Sequence, residues 1–307
     1  MDGIIALWKE RGMTSHDCVF KLRKILHMKK IGHGGTLDPD VDGILPICIG
    51  KGTKVIEYLQ DNHKIYEGEI TLGFSTTTED VSGEVVETLR LDEALSTEKI
   101  DEAMKKMVGT ITQIPPMYSA VKVNGKRLYE YAREGLEVER PVRTAQIFSF
   151  ERTTDPVFNV EEGRQSWRFK VVCGKGTYVR TLSVDTGISL GYPAHMSDLT
   201  RSASGGLSKE NALTLDEIKE LVEQDNFDFV QPIEQAFDES FTCLELTDEQ
   251  YRLVKNGVFL SRKLLGKETP SGEPIPVFYQ GQVVGIYQVH PTKSQFLKPT
   301  KIIRNDQ

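Results

Sequence analysis

Gly32-His33-Gly34-Gly35-Thr36-Leu37-Asp38-Pro39, running on to Gly43-Ile44-Leu45-Pro46, is the densest segment in the chain that could carry chemistry. Glycines let a backbone take φ > 0 and come close to a ligand. Pro39 biases Asp38 away from the helical region and fixes the chain leaving it. A carboxylate in such a frame sits on a rigid loop, a suitable place for a nucleophile or base. Taken alone, the same pattern also describes an ordinary turn, since such motifs are hypotheses until their context is known. The segment is not a phosphate-binding Walker loop, because it lacks Gly-Lys-Ser/Thr, nor a dinucleotide fingerprint, because no helical pattern follows its glycines.

Working outward, Ser15 and Asp17 open a helix whose Val19, Leu22, Ile25 and Leu26 share one face. Residues 31–52 read as an ordered loop followed by a short buried stretch. Tyr66–Leu72 alternates like a strand, and Gly73–Gly83 reads as loop. Thr97–Val108 is a second amphipathic helix, stopped by Gly109. Gln113–Gly135 holds strand-like pieces, an Asn124-Gly125 turn and a basic, tyrosine-bearing helix. Trp167–Cys173 is a strand, and Tyr178–Leu190 a helix ended by Gly191. Capping boxes at Thr214/Glu217 and Thr247/Gln250 open two further helices. Ile275–Val289 is a hairpin turning at Gln280-Gly281, and Phe296–Arg304 adds a short strand. The acidic stretch around Asp225–Glu239 suggests a boundary near residue 240, with a small, mainly β unit behind it.

The chain has 307 residues, 38% hydrophobic and 27% charged, the composition of a soluble globular protein. No apolar run approaches the roughly 20 residues of a membrane helix. The N-terminus does not read as a signal peptide. Cys18, Cys48, Cys173 and Cys243 are scattered, so disulfides are not expected and a cytoplasmic setting is. The six histidines show no HxxxH or HExxH spacing, so no metal site is expected. A net charge of −7 counts against a general nucleic-acid binder. Cations nevertheless cluster without acids at 18–37 (Lys21, Arg23, Lys24, Lys29, Lys30), at 163–184 (Arg164, Arg168, Lys170, Lys175, Arg180) and at 274–305 (Lys293, Lys298, Lys301, Arg304). Such runs are either a local positive surface for phosphates or ordinary solvated faces.

GHGGTLDPDVDGILPICIGKGTK resembles the catalytic motif of the TruB-type tRNA pseudouridine synthases, in which the Asp of TLDP is the nucleophile. Other segments agree in the family's order: Gly3–Lys9 with Gly12–Ser15; Lys64-Ile65-Tyr66 with Thr76–Gly83; Gln113–Lys122 with Gly125, Leu128-Tyr129 and Ala132-Arg133; and Cys173–Leu182 with Asp185, Gly187 and His195. The resemblance spans about 3–206. It departs once, where Lys9 is followed by Glu10 instead of proline, which removes no group the chemistry needs. It implies an α/β (α+β) fold with a mixed, mainly antiparallel sheet flanked by helices over residues 1–240. It also implies an RNA-gripping insertion at about 113–145. More weakly, the tail (241–307) resembles a small PUA-like RNA-binding domain.

The implied activity is isomerisation of uridine 55 in the T loop of tRNA, with base flipping and without cofactor. The resemblance gives Asp38 the nucleophilic role, Arg180 beside it to keep it charged and oriented, and Tyr66 a stacking and proton-accepting role. With the ordinary aspartate pKa of about 3.9, Asp38 is ionised at neutral pH and needs no activating base. Tyr178 would line the pocket, His33 would fill the vacated stacking position, and Lys9 and Asp80 would position backbone or RNA. Lys21, Lys29, Lys30, Lys122, Lys126, Arg127, Arg133 and Lys175 would meet the RNA backbone. A monomer acting on the tRNA T arm without an obligate protein partner or membrane is expected. Three other readings stay open: a non-catalytic RNA-binding or tRNA-folding protein of the same fold, a guide-RNA-dependent relative, and an Asp-based hydrolase pairing Asp38 with Asp40 or Asp42.

Overall fold

The computed structural model describes residues 1–266 and 269–305, so 267–268 and 306–307 of the expected C-terminal unit lie outside the described residues. Its main element is a ten-stranded sheet. The path across it runs Gly3–Lys9, Asp42–Ile49, Ala194–Ser204, Lys64–Leu72, Arg164–Cys173, Arg143–Arg152 and Gly109–Gln113. Ala194–Ser204 lies parallel to Asp42–Ile49, and the other neighbours on this path are antiparallel. The expected mixed, mainly antiparallel sheet is thus what forms.

The two central strands obey period-two patterning. Tyr66, Ile70 and Leu72 on one, and Trp167, Phe169 and Val171 on its neighbour, point into a core closed by helices Thr97–Lys106 and Val179–Leu190. Their backbones also pair residue for residue, Tyr66 opposite Val171. Alternation puts every second side chain on one face, which is why these strands were readable.

The Gly3–Lys9 and Asp42–Ile49 strands do not alternate, because both faces are covered. Ile4, Ala6, Ile44 and Cys48 enter one apolar cluster, while Ile5, Leu7, Leu45 and Ile47 enter another with helices Ser15–Ile25 and Leu215–Glu223. The stretch expected to be a loop and a short buried run is therefore two paired strands, Ile31–His33 and Asp42–Ile49, with the Asp38 loop between them. Gly73–Gly83, expected as loop, contains the Phe74–Thr76 strand paired with Val85–Thr88. Helix Ser15–Ile25 starts from Thr14, whose side chain accepts from Asp17 N–H while Asp17 reaches back to the Thr14 N–H.

A second sheet of five strands is built from residues 244–302. Ile233 and Ala236 of the acidic stretch pack with Val283, Ile286 and Ile303, and Ile4 pairs with Gln231. That stretch therefore joins the two sheets through apolar contacts, despite its charge. Among the described residues no helix is long and apolar enough to cross a membrane.

Candidate active site

Asp38 sits in a loop braced from both sides. Ser15 Oγ, fully buried, accepts from the Leu37 N–H at 2.9 Å and donates to the Leu37 carbonyl at 3.3 Å. On the other side the Pro39 carbonyl accepts from the Gly12 N–H at 2.9 Å and from Lys9 Nζ at 3.1 Å. Lys9 is wholly buried, which lowers its pKa, and its ammonium also reaches the Glu10 carbonyl at 3.0 Å. The N-terminal motif therefore holds the two residues flanking Asp38. Both hydrogen bonds of the Lys9 ammonium thus go to backbone carbonyls.

Arg180, near the start of helix Val179–Leu190, reaches Asp38: its Nε lies 3.1 Å from Asp38 Oδ2. Nη1 donates to the Thr78 carbonyl at 3.0 Å and Nη2 to the Tyr118 carbonyl at 2.9 Å. The guanidinium thus ties together the aspartate loop, the Thr76–Gly83 turn and the insertion. The Arg180 side chain is 7% exposed, whereas that of Asp38 is 43% exposed, so the carboxylate faces an opening. Crowding by protein still pushes the Asp38 pKa up, and Arg180 opposes that shift without cancelling it. The carboxylate therefore stands above the ordinary value assumed from sequence.

Asp80 stands 4.0 Å from Arg180 Nη1 and accepts from Thr78 Oγ1 (2.6 Å) and from the Ser82 N–H (3.0 Å) and Oγ (2.6 Å). It organises the turn that supplies the Thr78 carbonyl. Tyr178 caps the Arg180 helix, and its backbone N–H and C=O are both held by the Gln113 side chain, at 3.0 and 3.1 Å.

Asp38, Tyr66, Tyr178, Arg180 and Lys175 line one cleft of about 360 Å³, in the size range of small-ligand sites. Tyr66 is buried, which raises its phenol pKa. His33 is half-buried on the Ile31–His33 strand, outside the cleft wall, and burial lowers its pKa.

Sequence reading missed Arg201, which also lines the cleft. The signal was a lone cation in AHMSDLTRSAS, but two irregularities in pairing, at Met196/Asp198 and Arg201/Ala203, interrupt the alternation that would have marked this as a strand.

Several cations expected to meet RNA have protein partners. Arg168 pairs with Asp198 at 3.0 Å, and Arg164 stacks on Phe74. Lys126 pairs with Glu134, Arg127 donates to the Tyr129 hydroxyl at 2.9 Å, and Arg133 lies over the Tyr129 ring. Lys21 reaches Met13 Sδ at 3.1 Å. Lys29, Lys30, Lys122 and Lys175 are exposed. Asp42 accepts from Arg11 at 3.3 Å and from Thr200 at 2.6 Å, so it is committed to a structural network.

This fold is that of the pseudouridine synthases. The chain aligns with one in the crystal structure of a Cbf5-Nop10-Gar1 complex at TM-score 0.75 and 27% identity, covering 99% of this chain and 86% of that one. A chain in the structure of an H/ACA RNP bound to a substrate RNA containing 2′-deoxyuridine shares the fold at TM-score 0.73 and 24% identity, with coverage of 99% and 86%. The protein belongs to the TruB family: the profile of the TruB family pseudouridylate synthase N-terminal domain matches residues 23–179, and that of the tRNA pseudouridylate synthase B C-terminal domain matches 180–238. The latter match ends before the five-stranded sheet. The tRNA pseudouridine synthase B of Listeria innocua serovar 6a is 54% identical over 308 residues, covering 100% of both chains. That of Streptococcus sanguinis is 54% identical over 302 residues, covering 98% of this chain and 99% of its own.

Proposed function

We propose that this protein isomerises uridine 55 in the T loop of tRNA to pseudouridine, with Asp38 as nucleophile acting on a nucleotide flipped out of the RNA. The observation that carries this reading is the half-exposed Asp38 carboxylate, gripped by a buried arginine at 3.1 Å on the wall of a nucleotide-sized cleft. Similarity over nearly the full length to proteins named tRNA pseudouridine synthase B supports tRNA as the substrate.

The uracil must leave its stack before the chemistry, at a cost of a few kcal/mol. Arg180 holds the Asp38 carboxylate by an ion pair at 3.1 Å, so a fixed positive charge stands beside it before the nucleotide arrives. Tyr66 packs on the uracil face, and its phenol can relay the proton that leaves C5, taking it as its own hydroxyl proton passes on toward N1. Tyr178 lines the nucleotide site, Asp80 and Lys9 act through the loops they hold, and His33 fills the space left in the T loop by a rearrangement of its strand end. Lys21, Lys29, Lys30, Lys122 and Lys175 neutralise phosphates, with Lys126, Arg127 and Arg133 presented by the insertion. Shape does the selecting, as is usual for folded RNA. Residues 1–240 form the catalytic unit and the five-stranded unit behind them adds an RNA contact. The protein works as a monomer, without cofactor or protein partner.

The test is incubation of purified protein with an unmodified tRNA transcript, followed by mapping of pseudouridine. Conversion at position 55 alone is expected, with none by Asp38→Asn. Full activity in that variant would refute the assignment of Asp38, and modification elsewhere would refute the T-loop target.

A further inference from the structure

Arg201 is 1% exposed, one of the largest fully buried side chains in the protein. Its Nε donates to the Ile44 carbonyl at 2.8 Å, while Nη1 and Nη2 approach the Thr36 and Gly35 carbonyls at 3.4 and 3.5 Å. One side chain therefore holds the chain before Asp38 and the chain after it. The Arg201 backbone does the same from its own strand, lying in parallel register with Gly43, where an added Cβ would come within 2.2 Å of the Arg201 carbonyl oxygen. On its other edge Arg201 is in register with Tyr66, and both line the cleft with Asp38.

The backbone groups that accept from this guanidinium are neutral carbonyls, and no ion pair among the described residues includes it. Burying a cation against neutral partners is costly, and apolar packing could tie the same strands together. The fold uses the donors of the guanidinium, and its neutral partners leave the charge itself uncompensated. That charge is required by the reaction proposed above, on which this inference rests. When C1′ passes from N1 to the Asp38 carboxylate, the electron pair of the broken C1′–N1 bond stays on the uracil and spreads over N1, O2 and O4. C5 then supplies the pair for the new C1′–C5 bond as the C1′–O bond to Asp38 breaks, and a proton passes from C5 to N1. Between these events the base carries negative charge, which a fixed buried cation stabilises.

We propose that Arg201 is a positioning residue for the isomerisation, closing the Asp38 loop at both ends and setting a positive charge beside Tyr66 that faces the uracil while its bond to ribose is open. Its influence on Tyr66 agrees: burial raises the phenol's pKa, and the guanidinium draws it back.

The experiment compares wild type, Arg201→Lys and Arg201→Gln in single-turnover pseudouridine formation with saturating enzyme, alongside tRNA affinity and thermal melting. The lysine keeps the charge and loses the fork, and glutamine loses the charge as well. Expected are roughly a 30-fold slower rate for the lysine variant and about 300-fold or more for glutamine. Both should hold tRNA affinity within about threefold and melt within a few degrees of wild type. Wild-type rates in both variants would overturn the proposal. So would a fall in rate matched by equal loss of affinity and melting temperature, or a failure of either variant to fold, since each would make Arg201 a core cross-link only. A wild-type protein that forms no pseudouridine would instead count against the functional reading, and that is seen before any variant is compared.

Discussion

Arg180 Nε lies 3.1 Å from Asp38 Oδ2, and its two remaining nitrogens are taken by the Thr78 and Tyr118 carbonyls. The guanidinium cannot follow a carboxylate that moves, because three segments fix it at once. The position of the positive charge facing Asp38 is therefore a property of the fold.

Replacing Asp38 by asparagine should cut pseudouridine formation by on the order of 10³-fold or more while leaving tRNA affinity within about threefold. The fold raises the Asp38 pKa. Its contribution to stability is thus present below the free carboxyl's pKa and lost as pH rises through the folded value. At neutral pH the ionised side chain weighs against folding, so the asparagine variant should melt at or above the wild-type temperature. A clear fall in melting temperature at neutral pH would show that the carboxylate is structural.

Arg180→Lys should slow the reaction by about 10²-fold, since a point charge replaces a fork aimed at one carboxylate and two carbonyls. Arg180 opposes the rise in the Asp38 pKa. A less well placed charge lets it rise further, so the acidic limb of the single-turnover rate profile should shift to higher pH. A profile superimposable on wild type would separate Arg180 from the titration of Asp38.

Ser15→Ala removes the hydroxyl that serves both polar groups of Leu37 in a buried setting. Leaving them unpaired should cost about 1–3 kcal/mol, read as a drop of a few degrees in melting temperature. Because Leu37 adjoins Asp38, the rate should fall by roughly 10-fold as well. Loss of stability with an unchanged rate would show that the Asp38 loop keeps its geometry without this brace.

The exposed pair Lys29 and Lys30 is expected to meet phosphate. A double alanine variant should weaken binding of all tRNA sequences alike and lower the slope of log affinity against log salt by about 0.7–0.9 for each phosphate no longer neutralised. An unchanged slope, measured by titration at several salt concentrations, would return these lysines to the solvated face that charge patterning alone also allowed.

Helix Thr97–Lys106, the Asn124-Gly125 turn and the capping boxes at Thr214 and Thr247 were legible because each is decided by neighbours in sequence. The Gly3–Lys9 strand was not, since covering both faces erases alternation, and the bulged Ala194–Ser204 strand hid Arg201 for a related reason. Arg164 and Arg168 looked like a free basic run, yet Phe74 and Asp198 occupy them.

Local sequence determined the rigid Gly-rich loop, the carboxylate at its tip and the helix that carries Arg180, because backbone preference and capping act over a few residues. The motif match then placed this chain among the TruB enzymes. Only tertiary structure decided that Ser15, Lys9 and Gly12 hold the residues beside Asp38, that Arg201 closes its loop, and that Arg180 is shared between three segments. Those contacts join parts of the chain that sheet pairing alone brings together, and no short-range preference encodes them.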